Sequence, residues 1–269
     1  MTNDTPQEPR QLNNPSQPRK KILFLGYDET ETRLINLLIE QKCEVWHTQS
    51  PIKSTEPYDL VVSFGYRHIL KKEIINSSDA PIINLHISYL PYNRGAHPNF
   101  WSFFDGTPSG VSIHLIDEGV DTGPVLYQRY VNFSPSENTF AKTYNVLIDE
   151  IQTLFEDHID SIIDKTYQPK PQRHRGTYHS LKDLPQNFSG WNSEIENEIK
   201  RLDLSIDHIQ QEKLKLIDEI ERVRQANNIN WMDLLRLAFT QCPAEAKKLV
   251  RRINADDQRI SELFSKLAE

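Results

Sequence analysis

Ile22-Leu23-Phe24-Leu25-Gly26 is a short apolar run ending in glycine, and Thr30 to Gln41 behind it carries Leu34, Leu37 and Leu38 at helical spacing. A buried strand followed by an amphipathic helix opens an α/β unit. Outward from it, Val45-Trp46, Leu60-Val61-Val62-Ser63-Phe64-Gly65 and Ile82-Ile83-Asn84-Leu85-His86 have the composition of further strands, with helical or loop segments such as Lys71 to Ser77 between them. Strands that are apolar on both faces must be covered on both faces, so the expected fold is α/β with a doubly wound, mostly parallel sheet. Ligands of such sheets bind beyond the carboxyl ends of the strands. Phe64-Gly65-Tyr66-Arg67-His68 and Asn84-Leu85-His86 fall at such ends.

From Gly110 the period changes: Val111, Ile113 and Leu115 alternate with Ser112 and His114, and Val125-Leu126-Tyr127-Gln128 follows the turn Asp121-Thr122-Gly123-Pro124. This predicts two strands joined by an acidic loop. Thr139 to about Lys165 reads as one long amphipathic helix, and 166–190 as a polar segment with a hairpin around Arg175-Gly176-Thr177. From Trp191 the pattern is helical throughout. Leu202 to Val223 predicts one long helix, Trp231 to Leu237 a second, Pro243 opens a third, and Ile260, Leu263 and Leu267 mark a fourth. With 13 Lys and Arg against 15 Asp and Glu, residues 191–269 form a nearly neutral helical module without chemistry of its own. At the other end, residues 1–19 are rich in Pro, Asn, Gln and Ser, and read as a disordered tail.

A chain of 269 residues, 37% hydrophobic and 26% charged, has the composition of a soluble globular protein, and no run reaches the roughly 18 apolar residues of a membrane helix. A net charge of −7 gives no basic footprint for a phosphate backbone, which argues against nucleic acid as a partner. Cys43 and Cys242 lie far apart, without metal-ligand spacing, and no apolar signal segment precedes the first strand. The expectations are a cytoplasmic protein and no metal.

The chemistry concentrates in Asn84-Leu85-His86-Ile87-Ser88-Tyr89-Leu90-Pro91-Tyr92-Asn93-Arg94-Gly95 and in Ile116-Asp117-Glu118-Gly119-Val120-Asp121-Thr122-Gly123. Residues two apart on a strand share a side, so Asn84 and His86 project together at the strand exit. An amide and an imidazole there can hold the oxygen of a carbonyl, and Asp121 supplies a carboxylate if its loop folds back over that exit. Acylating an amine needs these roles: a donor to the oxyanion, a proton handler, and a group that orients the proton handler.

This pattern, N-x-H-x-S-x-L-P followed by D-E-G-V-D-T-G, resembles the folate-dependent formyltransferases over roughly residues 20–185, and most of all their sugar-nucleotide N-formyltransferase members. The resemblance implies 10-formyltetrahydrofolate as co-substrate, Asn84, His86 and Asp121 as catalytic residues, and folate contacts from Tyr66, Arg67, His68, Ile116, Asp117 and Gly119. It also implies acceptor contacts from Ser88, Tyr92, Asn93, Arg94, His97 and Asn99, and a homodimer built through the hairpin segment. The first β-α turn, Gly26-Tyr27-Asp28-Glu29-Thr30-Glu31, has one glycine and three carboxylates, unlike the phosphate cradle of purine-pathway relatives. The helical, near-neutral C-terminus differs from the basic β-rich domain of methionyl-tRNA enzymes. The implied acceptor is a nucleotide-linked amino-dideoxy sugar of the dTDP-3-amino or dTDP-4-amino type, serving surface polysaccharide such as the O-antigen of lipopolysaccharide. The alternatives are another amine, a hydrolase releasing formate, and a non-catalytic binding protein of the same fold. The corresponding division is a tail over 1–19, a catalytic domain over 20–165, a hairpin segment over 166–190 and a helical module over 191–269.

Overall fold

The computed structural model describes residues 7–204, 233–251 and 254. The chain divides into two units, residues 1–202 and 203–269. In chain order the first unit contains β1 (Arg10–Gln11), β2 (Lys21–Gly26), α1 (Leu34–Glu40), β3 (Glu44–Thr48), β4 (Leu60–Phe64), α2 (Lys72–Asn76) and β5 (Ile82–His86). There follow β6 (Arg94–Gly95), α3 (Pro98–Phe104), β7 (Gly110–Leu115), β8 (Val125–Tyr130), α4 (Phe140–Asp157), α5 (Ile159–Ile163) and β9 (Tyr178–His179).

Seven strands form one sheet in the order β1-β3-β2-β4-β5-β7-β8. Strands β3, β2, β4 and β5 run parallel at its centre, and β1, β7 and β8 pair antiparallel at its margins. Alternation along the strands feeds two cores. Ile22, Phe24, Leu60, Val62, Ile83 and Leu85 pack with α1, α4 and α5 on one face, while Leu23, Leu25, Val61 and Ile82 pack with Ile74 of α2 on the other. Every side chain of β4 is buried, as a central strand covered on both faces requires.

Four expectations need correction. Residues 7–19 are built into the sheet margin: Arg10 and Gln11 pair with His47 and Trp46, the Asn13 amide donates to Cys43 O and accepts from Val45 N, and Arg19 pairs with Asp160 and Asp164. The segment joins the fold through backbone and polar groups and through the single side chain of Leu12, which packs against the core, so its scarcity of apolar residues did not predict its place. The helix predicted over 139–165 is two. Thr139 caps α4 by accepting from Lys142 N, but His158 leaves helical geometry, stacks its ring on Tyr127 at 3.7 Å, and α5 restarts so that Ile159, Ile162 and Ile163 enter the core.

No hairpin forms around Arg175-Gly176-Thr177; instead β9 pairs in parallel with β6, far away in sequence. Thr177 fixes this arrangement by donating N–H to Pro91 O and exchanging side-chain bonds with Asn93. Finally, the helix over 195–204 begins on the first unit, where Ile195, Ile199 and Leu202 pack with Phe100, Trp101 and Phe140. The boundary therefore falls at 202 rather than 190. In the second unit helices cover 233–241 and 243–251, the latter opened by Pro243; the remainder of the long helix expected to Val223 and the helix expected at Ile260 to Leu267 lie outside the described residues.

Candidate active site

Strand β5 carries Asn84 and His86 to the exit of the sheet on one side, while the alternate residues Ile83 and Leu85 enter the core. Strand β7 runs antiparallel beside it and places His114 opposite Asn84. The loop from β7 to β8 then folds back over the strand ends. Gly123 lies under Leu115, where a Cβ would come within 1.8 Å of Leu115 O, so only glycine permits this return. Asp117 ties the loop internally, accepting from Gly119 N and the Thr122 hydroxyl, and Glu118 ties it to α2 through Lys72 at 2.6 Å.

The loop delivers Asp121 into a nearly closed position, with 13% of its side chain exposed. One carboxylate oxygen lies 3.3 Å from Asn84 Nδ2 and 3.4 Å from His114 Nε2. The other accepts the Gly95 N–H at 2.9 Å and lies 3.7 Å from His86 Nε2. Burial alone would disfavour the ionised form, but His86, His114 and the Gly95 N–H outweigh it and hold the Asp121 carboxyl well below the usual carboxylate range. Asp121 is thus a permanent anion at neutral pH and a weak proton acceptor.

The tautomers follow from partners that can only accept. His86 donates its Nε2–H to Asn93 O at 3.0 Å, which leaves the lone pair of the neutral ring on Nδ1. His114 donates Nδ1–H to Leu115 O at 2.8 Å and turns its Nε2 to Asp121 at 3.4 Å and to Asn84 Nδ2 at 3.3 Å. The two rings stand perpendicular, 6.4 Å apart, with Asp121 between them. Asn84, His86, Gly95 and Asp121 line a cleft of about 260 Å³ whose other walls include Tyr27, Phe64, Ile87, Pro98 and Tyr144.

Of the residues singled out in the sequence, Asn84, His86 and Asp121 come together here. Tyr66 is half-buried and donates its hydroxyl to Ser50 O, and Ile116 packs beneath the sheet with its N–H on Ile82 O. Arg67 and His68 line a larger cavity of about 630 Å³ beyond β2, β3 and β4. The structure engages several other side chains with protein. Ser88 donates to Tyr92 O; Asn93 is fully buried between Thr107 and Thr177; Arg94 reaches Arg175 O and Thr177 O; Asn99 donates to Phe140 O and accepts from Thr143. These four shape the loop after β5. Of the expected acceptor residues, His97 and Asn99 line a groove shared with Trp191.

Two residues of the site carry weak signals in the sequence. His114 is a single histidine inside an alternating strand, and Gln172 lies in a polar segment. Yet Gln172 Nε2 donates to both Asp121 O and Gly123 O, while its own side-chain oxygen is buried without a partner. Among the described residues no cluster of His, Cys, Asp and Glu could hold a metal ion, and no helix is long and apolar enough to cross a membrane.

The site thus sets a buried carboxylate between two imidazoles, beside an amide at the exit of a parallel strand. Residues 40–157 match the formyl transferase family model. The chain is 37% identical to the formyltransferase PseJ from Anoxybacillus kamchatkensis, solved in complex with UDP-4,6-dideoxy-4-formamido-L-AltNAc and tetrahydrofolate; the match covers 65% of this chain and 96% of PseJ, with a TM-score of 0.60. It is 33% identical to dTDP-4-amino-4,6-dideoxyglucose formyltransferase of Mycobacterium tuberculosis over 54% of this chain and 60% of that protein. It is also 33% identical to methionyl-tRNA formyltransferase of Thermodesulfovibrio yellowstonii, over 53% of this chain and 46% of that protein. The chain belongs to the formyl transferase family. It spans 60% or less of the length of these curated relatives.

Proposed function

We propose that this protein transfers the formyl group of 10-formyltetrahydrofolate to the amine of a nucleotide-linked amino-dideoxy sugar. The observation that carries the reading is Asp121 held ionised between His86 and His114 with Asn84 alongside. The donor supplies an activated formyl carbon. The acceptor nitrogen attacks it, a C–N bond forms, and negative charge grows on the formyl oxygen while the nitrogen becomes acidic. Asn84 Nδ2, which rests on Asp121 and His114, turns a hydrogen to that oxygen as the charge forms. The proton released by the amine goes to the lone pair on His86 Nδ1, and Asp121, 3.7 Å from the same ring, stabilises the charge that results. Collapse of the tetrahedral adduct breaks the bond to folate nitrogen, which takes up the proton.

The donor fits beside this centre on the loops after β4 and β7, which are tethered by Lys72 and Glu118. Ile69 and Val120 stand exposed on them, 87% and 41%, and offer apolar surface to a flat ring system. The sugar-nucleotide acceptor is supported by the likeness to PseJ and to the mycobacterial enzyme, and by the carboxylates of the first β-α turn. Surface-polysaccharide synthesis, as of O-antigen in lipopolysaccharide, is the corresponding role. Cys43 and Cys242 are free thiols, which suits a cytoplasmic location. A homodimer belongs to the same reading, with Tyr178 and Leu181, 52% and 74% exposed, as apolar surface in the 166–190 segment.

The test is formyl transfer by the full chain from 10-formyltetrahydrofolate to a panel of UDP- and dTDP-linked 3-amino and 4-amino sugars, read by chromatography and mass spectrometry. Formylation of one of them is expected. Preferential formylation of methionyl-tRNA or glycinamide ribonucleotide, or release of formate without acceptor, would overturn it.

A further inference from the structure

His86 and Asp121 are neighbours without a hydrogen bond between them. The Nε2–H of His86 goes to Asn93 O at 3.0 Å, and the nearer Asp121 oxygen waits at 3.7 Å. A carboxylate is a stronger acceptor than a main-chain carbonyl, so a ring free to choose would turn onto Asp121. Something must hold Asn93 O where it is. That same Asp121 oxygen meanwhile accepts the Gly95 N–H at 2.9 Å, so two main-chain groups of one short stretch keep the pair apart.

The hold on this stretch comes from the segment that returns at residue 177. Asn93 is fully buried, with its N–H on the Thr177 hydroxyl at 2.8 Å, and that hydroxyl donates in turn to Asn93 Oδ1 at 3.1 Å. The Asn93 amide donates to the Thr107 hydroxyl at 2.8 Å from the other side. Arg94 N–H then bonds Thr177 O at 3.1 Å and Ala96 N–H bonds His179 O at 2.8 Å, which brackets Gly95 between two main-chain ties. The approach is close, since a Cβ on Gly95 would lie 2.3 Å from His179 O. Neither Thr177 nor Thr107 lines the catalytic cleft.

We infer that Thr177 is a positioning residue: by fixing Asn93 it keeps the His86 Nε2–H on a main-chain oxygen and off the Asp121 carboxylate until the ring takes up the amine proton. The attraction between His86 and Asp121 is then made in full only as charge develops on the ring. Interactions that strengthen in the transition state are the ones that accelerate a reaction. The inference rests on the reading of His86 as the proton acceptor in formyl transfer, and it moves Asn93 from the expected acceptor contacts to the support of His86.

The test records proton–nitrogen correlation spectra of the full chain carrying nitrogen-15 histidine, at mildly alkaline pH where imidazoles are neutral. The signals of His86 are identified by their loss in His86→Asn. Wild type should carry the ring proton on Nε2. Thr177→Val keeps the shape of the side chain and removes the hydroxyl; the Nε2–H resonance should then move downfield, as a bond to a carboxylate replaces one to a carbonyl. In an Asp121→Asn background the same replacement should move it far less. Displacement of a reacting group by about 1 Å can cost roughly 100-fold, so kcat of Thr177→Val should fall by roughly tenfold to 100-fold with KM for the acceptor nearly unchanged. Thr177→Ser, which restores the hydroxyl, should recover both resonance and kcat. Thr107→Val, which loosens the same amide from the other side, should shift the resonance in the same direction and serves as the measurement if Thr177→Val does not fold. If the resonance stays in place in both valine variants, whatever happens to melting temperature, the assignment is wrong while formyl transfer stands. If wild type carries the proton on Nδ1, the passage of the amine proton through that nitrogen falls as well.

Discussion

The Gln172 side chain donates to the main-chain oxygen of Asp121 at 2.9 Å across 51 residues of sequence, and its second bond, at 2.8 Å, reaches Gly123 O. The loop that carries Asp121 is thus clamped from behind by a residue that does not line the cleft. Replacing it with leucine keeps the shape and removes both bonds. Each carbonyl left without a partner costs about 1–3 kcal/mol, and displacement of a reacting group by about 1 Å can cost roughly 100-fold in rate. Gln172→Leu should therefore lower both melting temperature and kcat, with KM for the acceptor nearly unchanged. An unaltered kcat would show that the loop needs no clamp.

Asp121→Asn keeps the shape of the carboxylate and removes its charge. Turnover should fall by roughly 100-fold to 10,000-fold, the range of acid-base groups, while the fold persists. His86→Asn should lose a similar factor, and the double variant should be little worse than either, because residues acting as a unit are not additive. Turnover within about threefold of wild type for Asp121→Asn would sink the mechanism.

The depressed Asp121 carboxyl also predicts how stability changes with acid. A group whose folded pKa lies below its unfolded value of about 3.9 contributes stability that is fully present above that value. The contribution declines as pH drops through about 4 and is lost as pH falls through the folded value. Melting temperatures of wild type and Asp121→Asn should differ most near pH 7 and converge below about pH 4. A constant gap down to acid would contradict the ionised assignment.

Asn13 tests the N-terminal segment. Its amide bonds Cys43 O at 2.8 Å and Val45 N at 2.7 Å, which anchors the turn into β3. Asn13→Ala should destabilise the protein by about 1–3 kcal/mol, or roughly 2–4 °C in Tm per kcal/mol, without affecting turnover. No change in Tm would mean that the margin holds through the β1 pairing alone.

The α/β core and the gathering of Asn84, His86 and Asp121 were legible in the sequence for reasons the structure makes plain. Two-faced apolar strands such as Leu60–Phe64 have no other soluble use, and Asn84 and His86 are bound together by the period of a strand. Other features had no local signal. Arg10 and Gln11 join the sheet through main-chain bonds that any residues could make. The β6–β9 pairing depends on Asn93 meeting Thr177, 84 residues apart. Gln172 reaches the back of the Asp121 loop, and Trp191 the groove beside the cleft, only because distant chain segments return there, and nothing within a helical or strand period announces such a return.

Asn93, His97 and Asp121 all adopt left-handed backbone, with φ of 54°, 54° and 53°. Asn, Asp and His are the side chains that tolerate this region best after glycine. The loops around the cleft are consequently restricted in evolutionary drift by backbone shape as well as by chemistry. Variation has far more room at residues of ordinary conformation lining the neighbouring groove, such as Tyr144, Asn145 and Trp191, than at these three, where a β-branched replacement would disturb the loop itself.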